Sequence, residues 1–79
     1  MGKIHYAKLE TSDRLRRVLS VLADGREYTT LDLMAYARVC AVSTAVAELR
    51  KNDFVIHCQR RGGLWYYRME VADAVPGKN

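Results

Sequence analysis

The sequence predicts an α+β domain in which three helices are followed by a two-stranded β-hairpin. Three observations predict it: apolar residues recur at helical spacing in separate stretches, the period shifts to two after Phe54, and Gly62-Gly63 interrupts the alternating part. With 79 residues the chain has room for one domain. A chain of this size buries only about 60–65% of its unfolded surface, so every element must share one core.

Lys3 to Leu9 alternates loosely, with Ile4, Tyr6 and Leu9 as its larger apolar members, and residues 1–10 read as an arm or edge strand. An unpaired apolar edge seeks a mate, which makes this arm the expected dimer contact. Thr11 or Ser12 is the expected cap of helix one, with Asp13 in the first turn where the helix dipole favours an anion. Leu15, Val18, Leu19 and Leu22 fall at i, i+3, i+4 and i+7, so they share one stripe that a core must cover. Arg14, Arg16 and Arg17 lie off it and read as a surface face. The helix should run to about Ala23, where Asp24-Gly25 supplies the stop.

Glu27-Tyr28-Thr29 suits a brief strand before Thr29 or Thr30 caps helix two, of about Leu31 to Arg38, with Leu31, Met34 and Ala35 inward. After Val39-Cys40-Ala41 the pattern resumes with Val42, Ala45, Val46 and Leu49, giving a third helix of about Val42 to Asn52. Two helices joined so tightly must cross. The turn has no glycine, the residue that usually supplies a positive φ, and this leaves the crossing angle open.

Beyond Phe54, Ile56 and Cys58 alternate against Val55, His57 and Gln59. After Arg60-Arg61-Gly62-Gly63, Trp65, Tyr67 and Met69 alternate against Leu64, Tyr66 and Arg68. Ile56, Cys58, Trp65, Tyr67 and Met69 form the expected inward set, because large aromatics spaced by two are best used covering helices. The domain is thus expected over residues 11–69, and residues 70–79, which hold Pro76, read as a flexible C-terminal tail.

The net charge of +4 is concentrated. Between Arg38 and Arg68, Arg38, Arg50, Lys51, Arg60, Arg61 and Arg68 face only Glu48 and Asp53, while the flanks balance to zero. Cations gathered in one part of the chain suit a polyanion partner. Other classes find no support. No apolar run approaches the roughly 18 residues of a membrane span, and the first residues lack the apolar stretch of a secretory signal. Tyr6 stands where a myristoylation motif wants Ser or Thr. A cytoplasmic location is expected, with no membrane partner.

Cys40 and Cys58 lack zinc-site spacing and read as small buried hydrophobes. His57 and Cys58 are strand neighbours that point to opposite faces, which argues against one shared metal. There is no Ser-His-Asp set arguable from spacing, no phosphate-binding glycine loop and no HExxH or CxxC pair. The chain is therefore expected not to be an enzyme and to take no cofactor, metal or small-molecule substrate.

The order of elements, with Thr30-Leu31-Asp32-Leu33-Met34 leading into Val42-Ser43-Thr44-Ala45-Val46-Ala47-Glu48-Leu49-Arg50 and then the two alternating runs, resembles the small winged helix-turn-helix proteins of bacteriophages and prophages. The likeness covers about Thr11 to Met69. It implies that helix three enters the major groove of DNA and that the hairpin loop, the wing, contacts the adjacent backbone or minor groove. It also implies that caps such as Thr29 and Thr30 lie close to a phosphate.

Physical reasoning runs beside the likeness. The major groove, about 12 Å wide, accepts one α-helix, so helix three reads with whatever it turns outward. That group is Ser43, Thr44, Ala47, Arg50 and Lys51. Ser43 and Thr44 in the first turn offer hydroxyls and backbone N–H groups to a phosphate or base edge. Ala47 is small enough to admit a thymine methyl, Arg50 suits a phosphate or guanine edge, and Lys51 suits a phosphate. Arg60 and Arg61 at a hairpin tip repel each other and serve no core, as befits phosphate or minor-groove contacts.

The expectation is a sequence-preferring double-stranded DNA-binding protein, a transcriptional regulator or phage accessory factor, working with a second copy or a protein partner. The alternative is a winged-helix module that binds a protein, as an antirepressor or host-factor binder does. Small residues and the lack of Asn or Gln on the outward face of helix three favour it. RNA binding would need several stacking aromatics on the outer hairpin face, where only Tyr66 is expected.

Overall fold

The computed structural model describes residues 12–71. The expected arm and dimer contact at Lys3 to Leu9, and nearly all of the expected tail, lie outside them. The elements are α1 (Asp13–Leu22), β1 (Tyr28–Thr29), α2 (Thr30–Ala37), α3 (Val42–Lys51), β2 (Ile56–Arg61) and β3 (Leu64–Met69).

Ser12 starts α1, its hydroxyl accepting from the Leu15 N–H at 3.2 Å. Leu15, Val18 and Leu22 are fully buried and Leu19 is packed against them, as the stripe predicts. Gly25 ends the segment with φ +78°, a conformation that costs a Cβ-bearing residue dearly, and donates its N–H to the Leu22 carbonyl at 3.1 Å. Two of the three arginines of this helix are tied to other helices. Arg14 pairs with Glu48 of α3 at 2.6 Å, and Arg17 donates to the carbonyls of Ala37 at 2.7 Å and Arg38 at 3.3 Å.

Thr29 caps α2 in a reciprocal box: its hydroxyl accepts from the Asp32 N–H at 3.0 Å, and the Asp32 carboxylate accepts from the Thr29 N–H at 3.0 Å. The inward face of α2 is not the expected one. Leu33 and Ala37 are buried, with Val39 just beyond, whereas Leu31, Met34 and Ala35 face outward and Leu31 is 66% exposed. The helix is eight residues long and apolar nearly all round, so its sequence carries little contrast to set its rotation. Packing against α1 and β3 sets it instead.

Arg38 closes α2 in the left-handed region at φ +55°, taking the place of the missing glycine. The axes of α2 and α3 then bend by 83°. Val42, Ala45, Val46 and Leu49 of α3 are buried as expected. The helix ends in a Schellman arrangement: Asp53 is left-handed at φ +74°, the Phe54 N–H reaches the Leu49 carbonyl at 3.2 Å, and the Asp53 N–H reaches that of Arg50 at 3.1 Å.

The expected two-stranded hairpin is part of a three-stranded antiparallel sheet in the order β1-β3-β2. β1 pairs Tyr28 with Tyr67 and Thr29 with Tyr66, and β2 pairs with β3 from Ile56↔Met69 to Arg61↔Leu64. Gly62 and Gly63, at φ +58° and +83°, make the two-residue turn that matches strand twist. Ile56, Tyr67 and Met69 are buried, each burial being worth about 1.5–3 kcal/mol.

Cys58 and Trp65 share their face but are exposed: Cys58 lies on the edge strand β2 opposite the buried Tyr67, and Trp65 lies further toward the turn. Cys40 is exposed too, so neither cysteine is the buried hydrophobe expected. Among the described residues no single helix is long and apolar enough to cross a membrane.

Candidate nucleic-acid interface

The outward face of α3 is open. Ser43, Thr44, Ala47, Arg50 and Lys51 are all exposed, since the four apolar residues of this helix are turned into the core. Its one acid, Glu48, is half-buried and paired with Arg14 on the side facing α1. Ala41 at the N-cap makes no side-chain cap, so side chains leave the first N–H groups of α3 uncapped.

Two of the five outward residues are engaged within the fold. Arg50 donates from Nε at 3.1 Å and Nη2 at 2.7 Å to the Ile56 carbonyl, joining the end of α3 to the start of β2. Lys51 also has a partner within the chain. Ser43, Thr44 and Ala47 are therefore the outward residues nearest the helix start, and Arg50 doubles as a brace.

The two tip arginines lie on opposite faces of the sheet. Arg61 belongs to the outer face, where it pairs with Glu27 at 2.6 Å and its Cζ lies 4.1 Å from the centre of the Tyr66 ring. Arg60 is directly opposite Trp65 on the face that continues the core. Its guanidinium makes no hydrogen bond or ion pair with another described residue. Tyr66 is half-buried, so the outer face does not present the row of open aromatics that RNA stacking requires.

The inner face of the β2–β3 ribbon and the start of α3 form the walls of a groove of about 540 Å³. Thr30, Cys40 and Ser43 stand on one side; Cys58, Trp65 and Tyr67 stand on the other. Thr29 is occupied as the cap of α2, whereas Thr30 lines the groove. The expected residues thus divide: Thr30 and Ser43 meet at the groove, Arg60 shares the sheet face that walls it, and Arg61 and Thr29 are held elsewhere.

Trp65 is the groove residue that sequence reasoning missed, having been assigned to the core. Its signal was countable: it lies two residues past Gly63, opposite Arg60, in the second cross-strand pair from the turn. Among the described residues no group of three or more His, Cys, Asp or Glu side chains could hold a metal. Comparison with models of protein families, with curated proteins and with solved structures finds no match.

Proposed function

We propose that this chain is a winged helix-turn-helix protein that binds double-stranded DNA with sequence preference, acting in the cytoplasm as a transcriptional regulator or as a phage or prophage accessory factor. The observation that carries this reading is the groove, which sets the hydroxyl-bearing start of α3 against the sheet face that holds Arg60. In this arrangement α3 lies in the major groove and Arg60, at the tip of the β2–β3 wing, meets the neighbouring backbone or minor groove. The charge balance agrees, since Arg14 neutralises the acid of α3. One domain has a small footprint, so a second copy or a partner protein would supply the remaining affinity.

The test is an anisotropy titration of labelled duplexes across a salt series. Affinity should fall steeply with salt, and Arg60→Ala should reduce the slope of log K against log salt by about 1. Arg61→Ala should change the slope less, because its charge is already matched by Glu27. Absence of affinity for any duplex at low salt would sink the proposal.

A second reading, a module that docks on a protein, draws support from α2. There Leu31 and Tyr36 are 66% and 65% exposed beside Met34. Such a module would bind its partner with little salt dependence and ignore duplexes.

A further inference from the structure

The geometry points to the groove between the wing and the start of α3 as the seat of one sugar–phosphate strand of duplex DNA, with Trp65 packed on a deoxyribose. This rests on the DNA-binding reading and adds the path of the strand and the sugar it takes.

The groove has two kinds of lining, and a DNA strand has the matching two. Trp65, Tyr67 and the thiols of Cys40 and Cys58 supply an apolar surface, while Thr30 and Ser43 supply hydroxyl donors. No carboxylate among the described residues lines it. Arg60 stands on the same sheet face directly opposite Trp65, its guanidinium unpaired with any other described residue.

Along a DNA strand, apolar deoxyribose alternates with anionic phosphate. An indole can cover the sugar and offer its Nε1–H to a phosphate oxygen, with Arg60 and the two hydroxyls on the flanking phosphates. An apolar peptide in the same place would leave Arg60 without a counter-charge.

The chain's only two cysteines both line this groove and both are exposed, so they report on its occupancy. The experiment follows alkylation of Cys40 and Cys58 by N-ethylmaleimide, by mass spectrometry, with and without saturating duplex DNA. Bound duplex should slow both reactions by about tenfold or more, and protein alkylated beforehand should lose affinity by about the same factor. A Cys40→Ser, Cys58→Ser variant should have the same affinity before and after maleimide treatment.

Trp65→Ala should weaken DNA binding about tenfold and Trp65→Phe much less, with unchanged circular dichroism in both. Duplex binding with both thiols reacting at the free-protein rate would overturn the groove assignment and leave the DNA-binding reading standing. Failure to bind any duplex would overturn both.

Discussion

The base of the β2–β3 ribbon and its tip carry the same alternation of side chains and meet different surroundings. At the base, Ile56 faces Met69 across the ribbon and both are buried, with the buried Tyr67 beside them. Toward the tip, Arg60 faces Trp65 on that same face, and Trp65 is 45% exposed. Period two assigns a face; the length of the helices beneath decides how far along that face the core extends. Past Tyr67 the inward face becomes the wall of a groove, and an aromatic residue that looks like core material is left 45% exposed.

The sharpest way to break this comparison is to truncate one aromatic in each region. Tyr67→Ala should destabilise the fold by about 3–5 kcal/mol, as removal of a buried ring does. Trp65→Ala should cost less than about 1 kcal/mol. Urea unfolding measures both, and equal losses would mean that the tip belongs to the core.

A smaller effect is expected where β1 braces the base. Thr29 pairs with Tyr66 and caps α2, and Thr29→Ala should cost about 1 kcal/mol. Hydrogen exchange in that variant should quicken at β1 and the start of α2 and stay unchanged at Gly62-Gly63. Uniform quickening would show that base and tip open together.

The smallest effect is one of pH. The Tyr28 hydroxyl donates to Asp24 at 2.5 Å, and this bond, helped by the Arg26 N–H, holds the Asp24 carboxyl below its ordinary value. The same bond holds Tyr28 above its ordinary value. The stabilisation is complete above the usual aspartate range and is lost as pH falls through the lowered value. At the alkaline end it is complete below the usual tyrosine range and is lost as pH rises through the raised one. Tyr28→Phe should flatten both limbs of a plot of Tm against pH, and an unchanged acid limb would count against the bond.

Most of the fold was legible because its signals were local. Ser12, Gly25, Thr29 and the two apolar stripes of α1 and α3 each act within a turn or two of their own position. The rotation of α2 was not legible, because apolar residues surround that short helix and only tertiary packing selects Leu33 over Leu31. β1 was read as a strand, but its pairing with β3 joins residues nearly forty apart, a distance that no local pattern spans.

At the candidate site, the openness of Ser43, Thr44 and Ala47 followed from the stripe of α3. The different fates of Arg60 and Arg61 depended on Glu27 and Tyr66, neither of which a hairpin motif names.

The joint between α2 and α3 is pinned from a third helix. Arg38 holds a conformation that a non-glycine residue adopts at a cost, and the carbonyls of Ala37 and Arg38 accept from Arg17 of α1. The heading of α3 is accordingly not decided by the four residues alone that separate it from α2. Arg17, which does not line the groove, acts as its tiller, so drift at position 17 would re-aim α3 while leaving its own outward residues intact.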